Sequence, residues 1–185
     1  LDRIDHLAKK VGAINTILNK DGKLIGYNTD VYGAINALSL IRIKKTDTVF
    51  IIGAGGVAKA IIVALNKLEV KKIFITNRGS KKIKSIKKKF KCDFIDWNDR
   101  NKFNANILIN ATPIGMKKDD QKTPIAKSAI NNFDKVMDVI VKNSDTALIK
   151  EAKKLKLLNV DGLVMTLYQA AKQYEIYTGL KAPIS

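Results

Sequence analysis

One cysteine, one histidine, one tryptophan and three prolines are all that this chain of 185 residues holds of those types. The lone Cys92 excludes a disulfide scaffold. The lone His6 lies between apolar positions near the start of the chain, and no His/Cys constellation for a metal is present. Apolar runs are short, and none approaches the roughly 20 residues that a membrane-spanning helix needs. No charged-then-apolar leader opens the chain, so the expectation is a cytoplasmic protein without a membrane partner. Acidic residues are scarce as well: Asp+Glu 17 against Lys+Arg 34, a formal net charge of +17. Arginine is rarer still, limited to Arg3, Arg42, Arg78 and Arg100.

A surplus of this size raises the question of nucleic acid. The densest basic stretch, Lys81 to Lys91 (KKIKSIKKKFK), places Ile83, Ile86 and Phe90 at spacings of three and four. That is one buried face of a helix with lysines on its wet face. Arginine, the better reader of phosphates and base edges, is nearly missing. The charge reads as a solvated lysine surface that raises the local concentration of anionic ligands, with no nucleic-acid partner.

A hydrophobic fraction of 46% is enough for a core. Residues 1–11 read as a helix, with Leu1, Ile4, Leu7, Ala8 and Val11 on one face. Two extended runs, 15–19 and 23–27, flank Asp21-Gly22 and predict a β-hairpin. Asp30 stands where it can cap the helix that follows. From about Lys44 the pattern changes. Strand-type runs at 48–52, 72–76, 94–95, 106–110, 136–141 and 157–160 alternate with helical runs through about 68, at 80–91, 145–155 and 163–177. Such alternation predicts an α/β fold, a parallel sheet with helices on both faces. The polar stretch 117–123 is the expected mobile loop.

After TVFII the chain reads GAGGVA, placing Gly53, Gly55 and Ala58 in a G-x-G-x-x-A pattern. The first glycine permits the tight turn, the second lets the backbone approach a pyrophosphate, and the alanine lets helix and sheet pack closely. Free N–H groups at the helix start then favour an anion. Enzymes that use NAD usually carry an acid at the end of the next strand. Here the stretch reads Asn77, Arg78, Gly79, Ser80, Lys81, Lys82, without a carboxylate, which points to NADP.

Five further stretches narrow the class: VGAINT (11–16), GYNTD (26–30), TNR (76–78), NATPIGM (110–116) and DGLVMTLYQAA (161–171). With GAGGVAKA, and in this order, they resemble the shikimate dehydrogenase family over essentially the whole chain. The resemblance implies a Rossmann-like nucleotide domain at 44–160. Residues 1–43 would be the tail, or remnant, of a second α/β substrate domain. Residues 161–185 would form a closing helix that returns toward it. It implies NADPH-dependent reduction of 3-dehydroshikimate to shikimate, on the route to chorismate and the aromatic amino acids. It assigns Asn15, Asp30 and Gln169 to the substrate, with Asp30 also the acidic member of the catalytic pair. It assigns Gly53, Ala54, Gly55, Gly56 and Val57 to the pyrophosphate, and Asn77, Arg78 and Lys82 to the 2′-phosphate end. Thr112 and the backbone around Met116 and Met137 would line the nicotinamide side. Each substrate residue also has an ordinary structural role open to it: a strand-end cap for Asn15, a helix cap for Asp30, a surface amide for Gln169.

The chain departs from the family pattern in three places. The family's catalytic lysine lies in a TxPxK-type stretch upstream of the GA-hydrophobic-NT motif, and no such stretch occurs here. The first residue is Leu1 rather than Met, and the expectation is a carboxy-terminal portion of a longer protein. Val141 stands where the family shows a tyrosine, and Val164 where it shows a second glycine. These departures keep two alternatives open beside the NADP-dependent enzyme. One is a quinate/shikimate dehydrogenase-like enzyme of altered specificity; the other is a non-catalytic NADP-binding fragment.

Overall fold

The computed structural model describes residues 1–117 and 121–184, without the side chains of residues 80–82. The chain begins with a short strand β1 (Arg3–Ile4), helix α1 (His6–Val11), strands β2 (Thr16–Lys20) and β3 (Lys23–Tyr27), and helix α2 (Asp30–Leu40). The expected helix over 1–11 therefore starts only at His6. Arg3–Ile4 instead pairs in parallel with Ile25–Gly26, and the Asp5 carboxylate then caps α1 by accepting from Leu7 N at 2.9 Å. The hairpin forms as expected, turning on Asp21 and Gly22 with φ of 52° and 79°. Both central residues are left-handed, which suits an Asp-Gly pair. Together these strands make a three-stranded sheet in the order β1-β3-β2.

The second sheet contains β4 (Thr48–Ile52), β5 (Lys72–Thr76), β6 (Asp93–Phe94), β7 (Ile107–Asn110), β8 (Lys135–Asp138) and β9 (Leu158–Val160). Helices α3 (Gly56–Lys67), α4 (Ser80–Lys89), α5 (Ala147–Lys154) and α6 (Gly162–Thr178) connect or follow them. All its pairings are parallel, in the order β6-β5-β4-β7-β8-β9. The order reverses between β4 and β7, so loops leaving these strands diverge and open a crevice there, as in Rossmann folds. β4 explains the layering. Its Val49 and Ile51 join one buried cluster with α2, α3 and Met165 of α6, while Phe50 and Ile52 join another with Leu148 and Ile149 of α5. A strand buried on both faces reads as an unbroken apolar run.

Several element ends differ from the expectation, and local hydrogen bonds explain them. β8 stops at Asp138 rather than running to Val141, because the Asp138 carboxylate accepts from Ile140 N and turns the backbone. α5 starts at Ala147, with Thr146 Oγ1 accepting from Ile149 N at 3.2 Å. α6 starts at Gly162, with Asp161 accepting from Leu163 N and Val164 N. The helix 80–91 ends at Lys89, and two short 3-10 turns, Trp97–Asp99 and Lys127–Asn132, occupy segments with no sequence expectation.

Two contacts fix how the parts meet. Helix α6 lies against α2 at Gly33, where a Cβ would collide with Met165 O and lie 3.2 Å from Gln169 Cβ. The segment between α2 and β4 is tied to β8 by a buried ion pair. There Lys135 Nζ donates to Asp47 Oδ2 at 2.7 Å and to Arg42 O at 2.9 Å.

Candidate functional site

At the order reversal a pocket of about 230 Å³ is lined by Gly53, Ala54, Gly55, Asn77, Arg78, Trp97 and residues 111–114. The turn out of β4 needs its first glycine: Gly53 has φ +113°, and a Cβ there would strike Ala111 O. Gly55 and Gly56 differ, since a Cβ on either would meet nothing within 4 Å. The Gly55 backbone thus faces open space. Gly55 is the N-cap of α3, and no side chain caps that helix among the described residues. The first-turn N–H groups of α3 and its partial positive charge are therefore available to an anion. Val57 is half-buried, and Ala58 is fully buried where α3 meets the sheet.

Past β5, Asn77 Nδ2 donates to Gly79 O at 3.0 Å, bracing the turn, and Arg78 is exposed. An adjoining hollow of about 300 Å³ shares Asn77, Arg78 and Trp97 and adds Asp96. Asp96 Oδ1 accepts from Asn98 N. The Lys82 side chain lies outside the described residues. So does part of the loop 117–123.

The far wall of the pocket is the stretch 111–114. Buried Asn110 shapes it: its Oδ1 accepts from Thr112 N at 3.1 Å and Thr112 Oγ1 at 2.7 Å, and its Nδ2 donates to Ile114 O at 3.2 Å. Met116 is exposed beyond this wall. Met137, like Met116, is not among the residues that line the pocket. It lies in mid-strand of β8, fully buried in the core, and the strand exit is formed by the half-buried Val139. Val141 is exposed, and Val164 packs against the core from the first turn of α6.

The three expected substrate residues come together from distant points of the chain. Asn15 Nδ2 donates to Asp30 Oδ1 at 2.9 Å and lies 3.4 Å from Gln169 Oε1. Its Oδ1 accepts from Thr29 N and Thr16 Oγ1, both at 2.9 Å. Asp30 is not a helix cap: Thr29 holds the N-cap position, and Asp30 begins the helix with its carboxylate turned to Asn15. Burial pushes the Asp30 carboxyl above its ordinary range, and the Asn15 hydrogen bond partly offsets the rise. The result is a partly desolvated carboxyl bonded to one amide, with a second amide bonded to the first, a set of paired donors and acceptors suited to a polyhydroxylated ligand.

Sequence reading missed Thr29, Gln173 and Trp97. Gln173 Nε2 donates to Thr16 Oγ1 at 3.0 Å, one helical turn beyond Gln169, so the i, i+4 spacing on α6 was the available signal. Trp97, the only tryptophan, carried no motif, yet its ring lines the pocket and stacks under Arg100 at 4.1 Å. Cys92 is half-buried, and burial together with Asp93 pushes its thiol up to about 11, which leaves it a poor nucleophile. Among the described residues, no group of three or more His, Cys, Asp or Glu is arranged to hold a metal, and no helix is long and apolar enough to cross a membrane.

Residues 37–164 match the family model described as shikimate / quinate 5-dehydrogenase. Residues 162–185 match that of the shikimate 5′-dehydrogenase C-terminal domain. The chain is 37% identical over 183 residues to a shikimate dehydrogenase (NADP(+)) of Clostridium perfringens strain 13, covering 98% of this chain and 68% of that protein. Among solved structures it is similar to the shikimate 5-dehydrogenase of Thermus thermophilus in complex with NADP(H) and shikimate. There the TM-score is 0.87 at 27% identity, over 98% of this chain and 68% of that one. It is also similar to the shikimate 5-dehydrogenase of Listeria monocytogenes in complex with shikimate and NAD, with TM-score 0.84 at 32% identity over 99% of this chain and 69% of that one.

Proposed function

The chain belongs to the shikimate dehydrogenase family, and from that premise we propose that it serves the NADP-dependent interconversion of 3-dehydroshikimate and shikimate, in the direction of reduction. The observation that carries the reading is the hydrogen-bonded meeting of Asn15, Asp30 and Gln169, three residues from separate segments. On this reading residues 1–43 are the tail of a substrate domain, 44–160 a nucleotide domain, and 161–185 a closing helix that carries Gln169 back.

The pocket fits a dinucleotide on three counts. The Gly53 turn is tight, the space before Gly55 and Gly56 is open, and the α3 start offers uncapped N–H groups. Residues 53–57 would hold the pyrophosphate. Asn77 and Arg78, with Lys82, would hold the adenosine 2′-phosphate, and Thr112 and Met116 would border the nicotinamide side. The nicotinamide, when bound, supplies the hydride chemistry. The chain's own residues bind and orient. The Asn15 and Gln169 amides engage ring hydroxyls, and the Asp30 carboxylate accepts from one of them and fixes local charge beside the reacting carbonyl. Proton delivery to the carbonyl oxygen falls to a lysine of the TxPxK type, which these 185 residues do not contain.

The chain alone is therefore expected to bind NADPH and to reduce 3-dehydroshikimate poorly, since general acid–base assistance is worth roughly 10²–10⁴-fold. NADPH consumption with 3-dehydroshikimate tests this, with and without a TxPxK-bearing segment joined upstream. Restored turnover supports the reading, and substantial turnover by the chain alone contradicts the lysine's role. A second reading, use of NAD, has the Listeria complex in its favour. Arg78 at the end of β5 favours NADP.

A further inference from the structure

Behind the pocket wall lies a carboxylate that the reading above does not use. Asp138 closes β8 and is fully buried. Its Oδ1 accepts from Asn110 Nδ2 at 3.0 Å and Ile140 N at 3.2 Å, and its Oδ2 accepts from Thr146 Oγ1 at 2.7 Å. All three donors are neutral, and no ion pair reaches Asp138 among the described residues. Asn110 is buried beside it, with both amide ends in use.

The two ends of an amide have nearly the same shape, so the partners decide which end points where. An ionised carboxylate only accepts, so it selects the NH₂ end of Asn110. That selection leaves Oδ1 facing Thr112, where it takes both the backbone N–H and the hydroxyl. Thr112 Oγ1 in turn accepts from Ile114 N at 3.2 Å. The chain of bonds thus runs from Asp138 through Asn110 to the stretch that walls the pocket.

We propose that Asp138 is a positioning residue for the nucleotide pocket, fixing the Asn110 amide and through it the wall at residues 111–114. The proposal rests on the reading of that pocket as a nucleotide site. A pH dependence follows. Burial pushes the Asp138 carboxyl up to about 6, a like charge on Asp161 at the β9–α6 junction adds to the rise, and the three hydrogen bonds oppose it. The side chains facing it from β7 and from the start of α5, Asn110 and Thr146, are neutral. Lys142, on the exit from β8, is turned away to Gly115 O and Lys117 O. A proton on Oδ2 makes that oxygen a donor, and the Thr146 hydroxyl must reverse. The wall is then held by a neutral acid instead of a carboxylate.

The test has a ligand-free arm and a ligand arm, both on the 185-residue chain. In the first, ¹⁵N–¹H spectra follow the Thr112 and Ile114 amides from about pH 8 to about pH 5. Both resonances should shift with a midpoint of about 6 in the parent and stay still in Asp138→Asn. Flat resonances in the parent overturn the proposal without reference to any variant, and equal titration in Asp138→Asn overturns it too. In the second arm NADPH affinity is compared between the two proteins at each pH. That comparison cancels the ligand's own 2′-phosphate, which titrates near about pH 6. Asp138→Asn should bind about fivefold more weakly at high pH, the difference between a charge-assisted and a neutral hydrogen bond. The gap should close at low pH. Equal affinity at every pH overturns the link to the nucleotide. Titrating resonances with no NADPH binding in either protein leave Asp138 as the wall's positioning residue and reject the nucleotide reading of the pocket.

Discussion

Every residue of β7 and β8 is buried, whereas the three-stranded sheet leaves Ile17 and Leu24 exposed. The larger sheet is covered on both faces by its own helices and carries two apolar clusters. The smaller one owes its cover to α1 and to the long α6, which returns from the far end of the chain. The difference bears on function. The nucleotide half is expected to hold its shape and bind by itself. The Asn15–Asp30–Gln169 cluster instead exists only while α6 stays seated against Gly33 of α2.

The largest expected effect breaks the nucleotide half at its turn. Gly53→Val combines a left-handed backbone with a collision at Ala111 O, and should cost about 3 kcal/mol or more in stability, read as a large fall in Tm. Gly55→Val has room for its Cβ, so its Tm should stay near the parent's while NADPH binding is lost.

Next comes Asp138→Asn, where stability and binding should part company. The folded-state carboxyl is raised to about 6 from an ordinary 3.8. The native state therefore holds the proton more tightly than the unfolded chain. The ionised group costs stability in full above about pH 6, and the cost vanishes below about pH 4. The neutral variant should be more stable than the parent by about 2–3 kcal/mol at pH 8, with the advantage gone in acid. Denaturation at both pH values checks this.

Arg78→Ala should weaken NADPH about tenfold to a hundredfold and leave NADH nearly unchanged. Gln169→Ala should leave NADPH affinity within about twofold, because its side-chain hydrogen bonds among the described residues are to Asn15 and Thr29. In a TxPxK-restored protein the same change should raise KM for the shikimate substrate. The smallest effect belongs to Asp96→Asn. Removing a carboxylate from the hollow beside Arg78 should favour NADPH over NADH by about a further twofold.

The six-stranded sheet was the more legible in the sequence, for a physical reason. β4 and β5 match the expected runs 48–52 and 72–76 because doubly covered parallel strands are unbroken apolar runs between polar turns. The three-stranded sheet obeys longer-range rules. Arg3–Ile4 leaves the expected helix because β3, some twenty residues on, offers it a strand partner. In the six-stranded sheet, by contrast, a local contact escapes the pattern: β8 ends early because Asp138 captures Ile140 N. The meeting of Asn15 with Asp30 and Gln169 was expected only through the family resemblance, since no spacing rule links residues 15 and 169. Trp97 and the part played by Asp138 had no signal in the sequence, as both depend on which strand ends the sheet order places side by side.

Arg78 should make the crevice at the β4–β7 reversal an NADP site. The most direct test is titration of the 185-residue chain with NADPH and with NADH at near-physiological salt, where the general pull of the lysine surface is screened beyond about 8 Å. Quenching of the single tryptophan, Trp97, at the pocket wall reports occupancy. Binding should saturate, with NADPH tighter by about tenfold to a hundredfold, a preference that Arg78→Ala erases. Equal affinities for the two nucleotides, or a preference that survives Arg78→Ala, would contradict it.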